Sequence, residues 1–175
     1  MFKIAKSFRF DAAHRLPLHK GKCKALHGHT YEVVLEFAAE DVDQKMAPTC
    51  GMVLDYGDIK TGPIAMIMKY MDHATILQES DPLTEVLLGP RPRAGHCGPN
   101  EYPLREEHGV APALVGLPVK VYVLMDPPTA ENLAKEIHGL VRAWLRDDNS
   151  PRGGYVHLAK VKVKETADTH AEYAG

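Results

Sequence analysis

Phe2, Ile4, Phe8 and Phe10 alternate with Lys3, Ala5, Ser7 and Arg9. That period of two predicts a half-buried strand, because successive side chains point to opposite faces of a sheet. A connection holding Pro17 and Gly21 follows. A second alternating run then extends from about His29 to Ala38, with Tyr31, Val33, Leu35 and Phe37 apolar and Glu32 and Glu36 between them. After a polar loop (Asp41, Asp43, Pro48, Gly51) the rhythm changes: Ile64, Ile67, Met68 and Met71 fall at i, i+3, i+4 and i+7, the apolar stripe of a helix. Gly62-Pro63 is awkward inside it. Proline suits a first helical position, so a start as early as Asp55 implies a kink. This helix ends near Asp72-His73.

A third strand is predicted from Val119, Val121, Val123 and Met125. Thr129 then serves as the N-cap of a second helix, with Glu131 in the first turn near the positive end of the dipole. Leu133, Ile137, Leu140, Val141, Trp144 and Leu145 form its stripe. A turn through Asp147–Gly154 leads to the last strand, Val156 to Glu165, with Lys160, Lys162 and Lys164 on one face and Ala159, Val161, Val163 and Glu165 on the other. The order strand, strand, helix, strand, helix, strand predicts one α+β domain over residues 1–175, a four-stranded antiparallel sheet with both helices on one face. Two sheet edges left open favour oligomerisation through them. Residues 78–118 stand apart, with seven of the thirteen prolines and five of the fourteen glycines. They read as an inserted loop with a short helical turn near Leu83–Leu88. His96, Cys97 and His108 fall there without regular spacing and define no site.

Composition narrows the partners. The chain has 175 residues, 45% of them hydrophobic and 25% charged, and a net charge of −2, so no polybasic surface advertises nucleic acid or anionic membrane. No apolar run reaches the length of a membrane span, and the N-terminal residues lack a signal-peptide core. Three cysteines, Cys23, Cys50 and Cys97, are too few for a disulfide framework, which is consistent with reduced thiols in the cytoplasm.

Ten histidines are many for this length, and three of them are concentrated. His27 and His29 are two apart at the head of the second strand, so both imidazoles share a face, and a hairpin returns them to the side of His14 at the end of the first. Gly28 between them lets the backbone bend. Three neutral imidazoles suit zinc with an open fourth position. Cys23 is either the fourth ligand of a closed site or a free thiolate beside an open one. A lone H-x-H is commonly structural, so spacing alone leaves the metal undecided. Neither H-E-x-x-H nor P-C-x-x-C occurs, which disfavours zinc proteases and deaminases.

The segments F-x-A-A-H-x-L (Phe10–Leu16), C-x3-H-G-H (Cys23–His29), M-x-L-D-Y-G-D (Met52–Asp58), D-H (Asp72-His73), P-T-x-E-N-L-A (Pro128–Ala134) and E-T-x4-A-E-Y (Glu165–Tyr173) occur in that order across nearly the whole chain. Together they resemble the 6-pyruvoyl-tetrahydropterin synthase/6-carboxytetrahydropterin synthase family. The three-residue gap between Cys23 and His27 is similar to the bacterial 6-carboxytetrahydropterin branch, which feeds 7-deazaguanine (queuosine) synthesis.

The resemblance implies a tunnelling fold whose subunits join their sheets into a barrel, commonly a homo-hexamer with active sites between subunits. It implies zinc on His14, His27 and His29, and 7,8-dihydroneopterin triphosphate as substrate. Cys23 is then the general base, Asp72 and His73 a proton relay arriving from a neighbouring subunit, and Glu165 the anchor of the pterin ring. Triphosphate leaves, with acetaldehyde too in the carboxy branch. The alternatives are the pyruvoyl product and a zinc-holding module without chemistry, against which Cys23, Asp72 and His73 together argue. The helix-start position of Glu131 supports a structural role, with ligand contact as the alternative. The departure from the family pattern is the 78–118 insertion.

Overall fold

A computed structural model describes residues 1–42, 51–88, 100–103, 118–146 and 156–175. His96, Cys97, His108, Cys50 and the expected turn at 147–154 lie outside the described residues. The elements in chain order are β1 (Phe2–His14), β2 (His27–Ala39), α1 (Tyr56–Ile59), a π-helical turn (Lys60–Ile64), α2 (Ala65–Met71) and β3 (Ala74–Gln78). They continue with α3 (Pro82–Leu88), β4 (Asn100–Pro103), β5 (Pro118–Leu124), α4 (Ala130–Leu145), β6 (Val156–Lys164) and β7 (His170–Tyr173).

The described residues fall into two compact units, and β1 and β2 contribute residues to both. The first unit holds residues 1–9, 31–69 and 130–175. In it β2 pairs antiparallel with β6, and β6 with β7. Its core is the odd-numbered face of β2, where Tyr31, Val33, Leu35 and Phe37 are fully enclosed, together with Ile59, Ile67, Leu133, Ile137 and Val141 from the helices. Each such aliphatic side chain contributes about 1.5–3 kcal/mol when removed from water. α4 packs on β6 and β7 with the stripe its periodicity predicts, Leu133, Ile137 and Val141 innermost.

The conflict expected at Gly62-Pro63 takes the form of a π-helical turn. Asp55 caps α1 by accepting the Gly57 N–H at 2.6 Å, and the π turn over Lys60–Ile64 absorbs Pro63 before α2 resumes. A wider turn accommodates the missing N–H of proline without ending the helix. Gly62 has a separate reason to be glycine: a Cβ there would overlap the Trp144 indole from α4.

One expected face needs correcting. The β2–β6 register shifts between Glu36 and Phe37, so Leu158 rather than Ala159 joins Val161 and Val163 in the buried row. A bulge changes the parity of the strand on either side of it.

The second unit holds residues 10–30 and 70–129. Here the four-stranded, wholly antiparallel expectation is too small. Beyond the four predicted strands, all present as β1, β2, β5 and β6, the chain adds β3, β4 and β7. β3 lies parallel to both β1 and β5, through Ala12↔Ala74 and Thr75↔Val121, so the sheet is mixed. β4 pairs antiparallel with β5 at the start of the latter. α3, at the position of the predicted helical turn, packs Leu88 against Leu77 and Val121, with Leu83 and Leu87 alongside.

Candidate metal centre and proton relay

β1 ends on the face that Phe10 and Ala12 already bury, and His14 continues that row at 2% exposure. β2 begins with His27 and His29 on one face, as their spacing requires. The three rings converge. Their centroids lie 4.5 Å (His14–His27), 5.1 Å (His14–His29) and 5.1 Å (His27–His29) apart, and one nitrogen from each lies within 4.8 Å of the others.

Two tautomers are set by backbone carbonyls. His14 Nδ1 is 2.7 Å from Pro128 O and His27 Nδ1 is 2.8 Å from Ala25 O. A carbonyl only accepts, so both Nδ1 atoms carry the proton and both Nε2 atoms present a lone pair. Burial lowers the His14 pKa below its ordinary value; the Pro128 bond opposes this, and His27 and His29 add to it. The ring is thus held neutral, the form that binds a metal. Three neutral imidazoles, two of them oriented by second hydrogen bonds, fit a zinc ion.

Gly28 has little choice of side chain. A Cβ there would stand 3.2 Å from the Ala12 carbonyl oxygen, where β2 passes the end of β1. Arg15, the residue after His14, grips Asp81 with two bonds, Nε to Oδ2 at 2.8 Å and Nη2 to Oδ1 at 2.5 Å. Asp81 also caps α3 by accepting the Leu83 N–H at 2.8 Å. Nothing local in the sequence announces this pair, which joins residues 66 apart.

Cys23 sits in a short 3-10 turn, Lys22–Lys24, as a half-buried free thiol. Its carbonyl accepts the Leu16 N–H at 2.8 Å, closing the loop between the two ligand-bearing strands. Among the described residues the group of closely spaced ligand atoms comprises the three histidines and does not include Cys23.

The chain does turn at Asp72-His73, the condition under which neighbouring residues can face each other. His73 has φ of 59°, in the left-handed region, and its Nδ1 lies 2.9 Å from Asp72 Oδ2. Its ring remains 77% exposed. Asp11 braces the pair: its N–H donates to Asp72 Oδ1 at 3.1 Å and its carbonyl accepts the His73 N–H at 2.6 Å. Thr30 Oγ1 donates to Asp11 Oδ1 at 2.5 Å. Asp11 and Thr30 are out of phase with His14 and His29 along their strands, so alternation directs them to the opposite face. A cleft of about 460 Å3 is lined by Asp11, Thr30 and His73, and by His29 as well.

Glu165, just past β6, belongs to the first unit. Its charge, after burial, raises the pKa of the enclosed Tyr31 hydroxyl. Glu131 is exposed in the first turn of α4.

The model of the family described as 6-pyruvoyl tetrahydropterin synthase matches residues 3–175. A 6-carboxy-5,6,7,8-tetrahydropterin synthase from Rickettsia bellii is 32% identical over 134 residues, 77% of this chain and 75% of that protein. One from Aquifex aeolicus is 26% identical over 187 aligned positions, 98% and 97% of the two chains. The same-named protein of Haemophilus influenzae reaches 42% over 81 residues, 46% of this chain and 56% of its own length. Among solved structures, an uncharacterized protein of Wolinella succinogenes superimposes with a TM-score of 0.72 at 21% identity, covering 99% of this chain and 97% of that one. The 6-pyruvoyl tetrahydropterin synthase of Caenorhabditis elegans gives 0.58 at 20%, covering 99% and 95%. At such identities the structures establish the fold, and the sequence matches establish kinship. The chain belongs to the 6-pyruvoyl tetrahydropterin synthase family of pterin-forming lyases, with curated relatives in its 6-carboxytetrahydropterin branch.

Proposed function

We propose that the protein is a zinc-dependent lyase that converts 7,8-dihydroneopterin triphosphate to 6-carboxy-5,6,7,8-tetrahydropterin with release of triphosphate and acetaldehyde, a cytoplasmic step of 7-deazaguanine synthesis. The observation that carries this is the convergence of His14, His27 and His29, with the Nδ1 atoms of His14 and His27 directed to carbonyls, which assigns the lone pair to their Nε2 atoms. Those three residues would hold the zinc, which supplies Lewis-acid polarisation of the substrate's oxygens.

The remaining work falls to the chain. Cys23, on the loop between the two ligand-bearing strands and absent from the three-histidine group, is the candidate to take a proton as thiolate. Asp72 orients the His73 ring and balances the charge it gains on protonation, leaving the exposed Nε2 to exchange a proton with substrate. Glu165 is the candidate for pairing with pterin N–H groups. The opposite phasing of Asp11 and His14 supports a homo-oligomer, of hexamer type, in which one copy's relay serves another copy's metal. The cleft shared by His29 and His73 favours a second reading, a relay acting within its own chain.

Mass spectrometry of the products made by zinc-loaded protein tests the reaction. Triphosphate and acetaldehyde are expected; triphosphate without acetaldehyde indicates the pyruvoyl product, and no turnover with zinc bound leaves only a metal-holding module. Cys23→Ala should keep zinc and lose turnover. Mixing Cys23→Ala with His73→Asn subunits should restore activity only if the two residues work from different chains.

A further inference from the structure

The turn that presents His73 is held from outside its own helix. Asp72 and His73 follow the end of α2 at a turn in which His73 adopts φ of 59°, and there the two side chains meet. A non-glycine residue there is strained, and relaxing it requires the peptide plane between Asp72 and His73 to rotate. Both polar atoms of that plane are occupied. The His73 N–H donates to the Asp11 carbonyl, and the Asp72 carbonyl accepts a bond from Lys120 Nζ at 2.5 Å. Any rotation breaks both. The cost of one left-handed residue and the yield of one charge-assisted hydrogen bond are of similar size, so a single ammonium is enough to decide the conformation.

Lys120 comes from β5, 48 residues beyond Asp72. Its position on that strand is paired with β4, through Glu101↔Lys120 and Asn100↔Val121. β4 lies within the Pro- and Gly-rich stretch 78–118. That stretch therefore supplies the strand that pairs with the backbone carrying Lys120.

We propose that Lys120 is a positioning residue for the Asp72–His73 pair, and that strand β4, paired with β5 at Lys120, serves to hold it in place. Lys120 acts through the Asp72 carbonyl and need not touch substrate. The kinetic part of this inference rests on the relay role proposed above; the conformational part does not.

The experiment compares Lys120→Met and Lys120→Arg with the wild-type chain by hydrogen exchange at the His73 amide and by steady-state kinetics at saturating zinc. In Lys120→Met, His73 exchange should accelerate by about tenfold or more while amides of β2 and α4 keep their protection. In the same variant kcat should fall by about tenfold with KM within about threefold of wild type and unchanged zinc stoichiometry. Lys120→Arg, which can still donate to the carbonyl, should restore both. Should Lys120→Met fail to fold, Lys120→Gln, which keeps a donor without the charge, is expected to give an intermediate exchange rate. Unchanged His73 exchange overturns the proposal, as does an unchanged kcat in an enzyme that turns over. A wild-type protein with no turnover rejects the relay role instead, and the exchange result then stands alone in judging Lys120.

Discussion

Replacing Arg15 by alanine should destabilise the protein far more than loss of a surface arginine, and by an amount that depends on pH. The Asp81 side chain is fully enclosed at 0% exposure, whereas that of Arg15 is 26% exposed. Truncating Arg15 leaves a buried carboxylate with the Leu83 N–H as its remaining side-chain bond among the described residues. Removing one member of a buried pair costs about 3–5 kcal/mol, and the partial exposure of Arg15, which lets water approach, favours the lower figure. For a chain of this length about 3 kcal/mol corresponds to a fall of roughly 6–12 °C in Tm. Burial alone would push the Asp81 carboxyl up, but the Arg15 guanidinium and the Leu83 N–H outweigh it and hold it below its ordinary 3.8. A depressed carboxyl contributes stability that is present above its unfolded value and lost as pH falls through the folded one. In Arg15→Ala the balance reverses, burial dominates, and the raised carboxyl penalises folding at neutral pH but is relieved by protonation as pH falls. Urea unfolding at pH 7 and pH 4.5 of wild type, Arg15→Ala and Arg15→Ala/Asp81→Asn is the assay. The expected result is a deficit near 3 kcal/mol at pH 7 that shrinks at the lower pH, with partial recovery in the double variant. A deficit below about 1 kcal/mol, the range of an exposed pair, or one equal at both pH values, would refute the reasoning.

Gly28→Ala crowds the Ala12 carbonyl from a position between His27 and His29, so zinc affinity measured against a competing chelator should fall by about tenfold, in the range of support-shell changes; an unchanged affinity counts against the close fit. His73→Gly should be about 1 kcal/mol more stable than His73→Ala in thermal unfolding, because only glycine relieves the positive φ, and both should lose turnover. Equal stability of the two would mean the turn is unstrained. Gly62→Ala should cost about 1–3 kcal/mol by overlapping the Trp144 indole, and the cost should largely vanish in a Trp144→Ala background. A penalty that persists there would place the constraint in the π turn itself.

What the chain's pattern discloses and what it withholds divide along a physical line. β1, β2, β5, β6 and α4 are periodic in sequence over seven or more residues, so hydrophobic spacing alone locates them; it marks the buried face of β2 and α4, whereas β5 buries Val121, Tyr122 and Leu124, and Met125 just past it is exposed. β3 has five residues, Ala74–Gln78, flanked by β1 and β5 in parallel and buried without alternation, so the period-two signal that marks a half-exposed strand is missing. The bulge opposite Glu36 is equally silent, since parity is broken by pairing with another strand and not by any residue type. Gly62-Pro63 is visible as a conflict, but the indole that leaves no room for a Cβ at Gly62 is Trp144, on a helix far along the chain.

The same line runs through the site. The imidazole trio is readable because i, i+2 spacing is a local property that dictates a shared face. The groups that hold the site in shape, Asp81 on Arg15, Lys120 on Asp72, Asp11 on His73 and Pro128 on His14, are polar contacts between residues 48 to 114 apart. A hydrogen bond leaves no periodic trace in sequence, because either partner can be replaced by another donor or acceptor reaching from elsewhere. A pattern search therefore finds the atoms that do chemistry and passes over those that aim them. Here the aiming falls to a buried carboxylate, a strained turn and a lysine on a strand paired with β4, so sensitivity to substitution should extend well beyond the residues that meet metal or substrate.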